Sequence, residues 1–220
     1  MPLHFQPPII YQITSGATRP DSNPTSEDFQ NVLALVYASI KAHISLIQLR
    51  EKNLPARTLY ELTARCAAIT QGTTTRLLVN DRADIARAAR ADGVHLATHS
   101  VKASVIRRTF GPDFLIGVST HSLAEAQAAR DAGADFAVFG PIFDTPSKRA
   151  YGPPVGLEAL LEAAHTLSPF PLIALGGVTQ KNASDTLRAG ASGIAAIRLF
   201  ADTNKLDATV RAVRFGRMVT

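Results

Sequence analysis

The chain has 220 residues, a net charge of +5, 46% hydrophobic and 6% aromatic residues, and a single cysteine, Cys66. One cysteine excludes an intramolecular disulfide and a Cys-cluster metal site, and no apolar run approaches the ~20 residues of a membrane span. The opening MPLHFQPPIIYQIT has neither the basic n-region nor the long h-region of a secretory signal, so the expectation is a cytoplasmic protein with no membrane partner.

In chain order, the first expected strand is IIYQIT (9–14), followed by a helical period over 25–42 that Thr25 or Ser26 is placed to cap. ISLIQLR (44–50) precedes a helix over 55–71, RLLVN (76–80) one over 82–91, and GVHLA (93–97) one over 101–109. FLIGVS (114–119) leads to a helix over 122–132, where Ser122 and Glu125 have capping-box spacing. ADFAVFG (134–140), PLIALG (171–176) and GIAAIR (193–198) precede helices over 156–167, 179–189 and 203–216. Gly133 and Gly190 stand as helix stops. Eight apolar strands alternating with eight helices, most strands ending in a polar cluster, predict a (β/α)8 TIM barrel as one domain over 1–220. A doubly wound sheet is the other candidate, but YQITSGATRPD lacks the glycine-rich turn such a sheet carries after its first strand. Two loops are long for a barrel, Ser15 to Pro24 and Phe143 to Val155, and long loops of this kind are usually lids or substrate loops.

The scattered arginines alternate with alanine and leucine, which reads as solvated helix faces and no nucleic-acid partner. A positive field also suits small anionic substrates. Gly176, Gly177 and Val178, with the backbone around Ile197 and Arg198, lie at the ends of the last two strands, where barrels of this class bind phosphate. The bland alternative is a tight turn that needs small residues. Arg50, Lys52 and Lys148, with the Thr145 and Ser147 hydroxyls, suit a second and more highly charged anion such as a diphosphate. Asp81 is placed to ligate a hard cation such as Mg2+ or to cap the third helix. His121 is a general acid/base or part of a helix entry, and His95 a core histidine with a local partner. Cys66 reads as packing inside a helix. His99 has no assignment.

The segments IQLREK, LLVNDR, ADGVHL, GVSTHS, GADFAVFGPIF with the following T-x-SK, IALGGVT and AGASGIAAI occur in order over nearly the whole chain. Together they resemble the thiamin phosphate synthase and TenI family of small (β/α)8 barrels. The resemblance implies a transferase that joins hydroxymethylpyrimidine diphosphate to thiazole phosphate with Mg2+ and releases diphosphate, a step that asks for charge stabilisation and positioning. It implies that Gln48 orients the pyrimidine, and that Arg50, Lys52, Asn80, Ser119, Thr145, Ser147 and Lys148 hold the diphosphate. Lys148, Ser119 and His121 are then the catalytic candidates, Asp81 the Mg2+ ligand, and Gly177 with the Ile197–Arg198 backbone the thiazole phosphate site. Two positions depart from the family pattern. Ser100 stands where a second metal-binding aspartate is expected, and Arg198 where a serine is common. The TenI branch, a thiazole tautomerase, also lacks that aspartate and uses a histidine matching His121. A barrel that binds phosphorylated ligands without turnover is a third reading. A homo-oligomer is compatible with all three.

Overall fold

The structure is a computed structural model that describes residues 6–97, 99–145 and 153–216. Among the described residues the strands are β1 (Ile9–Ile13), β2 (Leu46–Leu49), β3 (Arg76–Asn80), β4 (Gly93–Leu96), β5 (Leu115–Thr120), β6 (Phe136–Phe139), β7 (Leu172–Leu175) and β8 (Gly193–Ala196). All neighbours pair in parallel, and β8 returns to β1 with Ile9 opposite Gly193 and Gln12 opposite Ala196, so the sheet closes. The helices between them are α1 (Glu27–Lys41), α2 (Ala56–Thr70), α3 (Ala83–Ala88), α4 (Ala103–Phe110), α5 (Leu123–Asp131), α6 (Gly156–Leu167), α7 (Ala183–Arg188) and α8 (Leu206–Phe215). The expected (β/α)8 barrel is the observed one. Among the described residues no helix is long and apolar enough to cross a membrane.

Alternation along each strand divides the apolar residues between two cores. Tyr11, Leu46, Leu78, Phe136, Val138, Ile173 and Ala195 pack together inside the barrel. Ile10, Ile47, Val79, Val94 and Ile194 face outward and pack with Phe29, Leu62 and Cys66 of the helices. Covering both faces is why the strands read as unbroken apolar runs, and each large side chain so buried contributes about 1.5–3 kcal/mol. Cys66 is fully buried, and burial pushes its thiol up to about 12, which fits the packing role. Gly117 is required by the inner core: a Cβ there would lie 2.4 Å from Phe136 and 2.9 Å from His95 Nδ1.

The helices begin later than the sequence pattern suggests wherever a side chain captures the preceding turn. Helix α7 starts at Ala183 because Asn182 Oδ1 accepts from Thr179 N at 2.7 Å while its Nδ2 donates to Gly177 O at 3.1 Å. Ser26 occupies the N-cap position of α1 but bonds Asn23 O and Asp28 Oδ1 instead of a helix N–H. The capping box of α5 forms in part. Ser122 Oγ accepts from Glu125 N at 3.2 Å, whereas the Glu125 carboxylate reaches one residue further back, to His121 N at 2.7 Å.

Candidate active site

The carboxyl ends of the strands share one rim, and the inward positions just below it bring polar groups together. After β1, the chain from Ser15 is tied down by Glu51, which is 3% exposed. Its carboxylate accepts from Gly16 N (3.3 Å), Thr18 N (3.2 Å) and Thr18 Oγ1 (2.6 Å). Further along, Ser22 Oγ donates to Asp28 at the start of α1. This long loop is therefore fastened at both ends. Glu51 sits between Arg50 and Lys52, neither of which makes an ion pair among the described residues.

Asp81 follows β3 in a left-handed conformation (φ 59°), one that aspartate tolerates better than most residues. Its Oδ1 accepts from Ser100 Oγ and, at 3.3 Å, from Ala97 N, and its Oδ2 accepts from Asn80 Nδ2 at 2.8 Å. Ala97 N also donates to Ser100 Oγ at 2.7 Å. Asn80, Asp81 and Ser100 are thus one cluster joining the ends of β3 and β4. The helix-capping alternative for Asp81 is not what forms: Arg82 is the N-cap of α3, and no side chain caps it.

His95 is buried as expected, but its partners are distant in sequence. Nδ1 lies 3.1 Å from Tyr11 OH, and Nε2 lies 2.9 Å from Ser119 Oγ. Gln48 Nε2 donates to Tyr11 OH at 3.2 Å. Burial pushes the His95 imidazolium down to about 4, and nearby Asp81 only partly opposes this. The neutral ring is therefore the folded form, while the unfolded chain takes up the proton near 6.5. The stabilisation is fully present above that value and is lost as the pH falls towards 4, about 3 kcal/mol in all. Urea midpoints between pH 7 and pH 4.5 should drop more steeply for the natural chain than for His95→Gln, and parallel slopes would contradict the assignment.

A cavity of about 570 Å³ opens beside this network, lined on one side by Ser119, His121 and Thr145 and on the other by Gly176, Gly177, Val178, Ile197 and Arg198. The β7 glycines have positive φ (96° and 66°). A Cβ on Gly177 would lie 2.6 Å from Phe143 Cβ, so packing against the segment after β6 demands glycine whatever the ligand. Among the described residues, the backbone N–H groups of Gly177 and Val178 have no acceptor. Arg198 opens a 3-10 turn (Arg198–Phe200), and its Nη2 reaches Thr145 Oγ1 at 3.4 Å across the cavity. His121 is exposed and its Nδ1 must carry a proton, because Gly140 O at 2.5 Å only accepts. Gln48, Arg50, Lys52, Asn80, Asp81 and Ser100 lie outside this cavity's lining. Ser147 and Lys148 lie outside the described residues.

The family model for thiamine monophosphate synthase matches residues 22–200. The chain belongs to the thiamine monophosphate synthase and TenI family. A thiamine-phosphate synthase of Roseiflexus sp. (strain RS-1) is 40% identical over 179 residues, covering 81% of this chain and 75% of that protein. One from Roseiflexus castenholzii is 37% identical over 205 residues, covering 93% and 86%. Among solved structures, thiamine phosphate pyrophosphorylase from Pyrococcus furiosus superposes with a TM-score of 0.77 at 29% identity, covering 94% of this chain and 96% of that one. To the residues given a role from the sequence, the structure adds Glu51, which IQLREK contains without a role, and Tyr11. The only sequence signal for Glu51 was an acid between two basic residues. Tyr11 had none, since a tyrosine in an apolar strand reads as core.

Proposed function

We propose that this chain is a thiamin phosphate synthase, a transferase that joins hydroxymethylpyrimidine diphosphate to thiazole phosphate and releases diphosphate. The observation that supports the reading is that two sets of donors suited to anions follow the strands around one rim. The N–H groups of Gly177 and Val178, without an acceptor among the described residues, suit a monophosphate together with Arg198. Arg50 and Lys52, which make no ion pair among the described residues, with Asn80, Ser119 and Thr145, suit a diphosphate. Ser147 and Lys148 join that second set on the sequence alone. Lys148, assigned from the sequence alone, and Ser119 stabilise the charge of the departing diphosphate, and Gln48 orients the pyrimidine.

Mg2+ keeps several waters and binds through one or two carboxylates plus substrate phosphates. Among the described residues no three His, Cys, Asp or Glu gather as a metal site, and Asp81 offers one exposed carboxylate with Ser100 hydrogen-bonded to it. This donor set fits Mg2+ held jointly with a diphosphate: Asp81 and Ser100 would hold the ion at the rim, where it would neutralise part of the leaving group's charge. Mixing the two phosphorylated substrates with Mg2+ should yield thiamin phosphate and diphosphate. No product at high Mg2+, with both substrates bound, would sink the proposal.

One observation favours the tautomerase alternative. Nδ1 of His121 is committed to Gly140 O, which leaves Nε2 as the ring nitrogen that can serve as a base on the cavity wall. That reading requires solvent deuterium to enter the thiazole, and His121→Ala to abolish the exchange.

A further inference from the structure

Gln48, Tyr11, His95 and Ser119 form one chain of hydrogen bonds inside the barrel, and its direction is set at one end. An amide nitrogen only donates, so Gln48 Nε2 gives a proton to Tyr11 OH at 3.2 Å. The tyrosine oxygen then has its own proton to place, and His95 Nδ1 lies 3.1 Å away. Burial keeps the Tyr11 hydroxyl protonated, so it is the donor to Nδ1. With Nδ1 accepting, the ring's one proton sits on Nε2 and is donated to Ser119 Oγ at 2.9 Å. The Ser119 hydroxyl, already an acceptor from His95, turns its proton away from the ring. The space it meets is the cavity that Ser119 lines.

We propose that Gln48, Tyr11 and His95 are positioning residues that fix the Ser119 hydroxyl as a hydrogen-bond donor into the active-site cavity. The ligand group it receives there is an anionic oxygen of the phosphorylated substrate. The same polarity rules out the more familiar arrangement of a serine beside a histidine. Here the ring gives a proton to the serine oxygen and cannot also remove one, so Ser119 is not an activated nucleophile. Gly117 is part of the device, since any Cβ there would press on both Phe136 and His95 Nδ1. Reversing the Gln48 amide would reverse every bond in the chain and turn the Ser119 proton inward, which makes the direction a measurable property. The proposal rests on the synthase reading only for the reaction used to monitor it.

Two measurements test it. Nitrogen-15 NMR of the histidine-labelled, ligand-free protein at pH 7 reads the tautomer directly. The His95 signal is assigned among six histidines by its absence from His95→Gln or, where that variant does not fold, as the resonance moved by Ser119→Ala. The expected result is a ring protonated at Nε2 only. A ring protonated at Nδ1, or at both nitrogens, overturns the proposal. The second measurement is a double-mutant cycle on turnover. Tyr11→Phe, which keeps the buried ring, should lower kcat about tenfold with KM within about threefold, and should cost nothing further once Ser119→Ala is in place. An equal loss in both backgrounds overturns the positioning role. If no variant, nor the natural chain, forms thiamin phosphate, the synthase reading fails while the NMR result still decides the polarity.

Discussion

Replacing Asp81 by alanine is expected to lower kcat/KM by about 10²- to 10³-fold, roughly 3–4 kcal/mol of transition-state stabilisation. The carboxylate is exposed and its conformation is held from three sides, by Asn80, Ala97 and Ser100. Its removal takes away the proposed metal ligand and also leaves three donors without this acceptor and an alanine at positive φ, so the thermal midpoint should fall by several degrees and the rates are compared well below it. The converse change, Ser100→Asp, places a second carboxylate beside the first. It should reduce the Mg2+ concentration for half-maximal rate about tenfold, since each added anionic ligand strengthens a hard-cation site. Calorimetric titration of Mg2+ into the protein with inorganic diphosphate gives a readout independent of turnover. Identical Mg2+ dependence in the natural chain and both variants would mean that the metal, if used, is held elsewhere.

Glu51→Ala should be the most damaging single change outside the cavity. The buried carboxylate satisfies two backbone N–H groups and one hydroxyl of the loop after β1, and no other described acceptor replaces it. Stranding them costs about 3 kcal/mol, a fall of roughly 6–12 °C in thermal midpoint for a chain of this length. Activity should fall as well, because Arg50 and Lys52 take their positions from the same turn. Glu51→Gln keeps one accepting oxygen and should recover about half of the lost stability. A Glu51→Ala protein melting within about 2 °C of the natural chain would show that water replaces the carboxylate.

Most of the architecture was legible in the sequence because a closed barrel makes simple demands. Strands covered on both faces must be apolar throughout, and the functional groups must follow them, so runs such as LIQL and GVHL mark both the strand and the place where the chemistry begins. Helix starts were less legible, as at Asn182, because a side chain competing for backbone groups leaves the apolar period unchanged. Of the candidate site, the glycines after β7 and the polar ends of β3 to β6 could be named in advance. The Tyr11–His95–Ser119 contacts could not, since they join residues 84 and 24 positions apart that only strand order brings together. Glu51 was hidden for a related reason: its charge suggested solvent, and only the fold of the Ser15 to Pro24 loop shows it facing inward.

The pairing of β8 with β1 has a consequence for synthesis of the chain. While the protein is still emerging from the ribosome, β1 can take β2 on one side, but its other edge has no native partner until Gly193 to Ala196 are made. Every shorter nascent chain carries an open, apolar strand edge able to pair with a neighbouring polypeptide. The first strand made is thus the last to be sealed, and truncation just before β8 leaves it exposed for good.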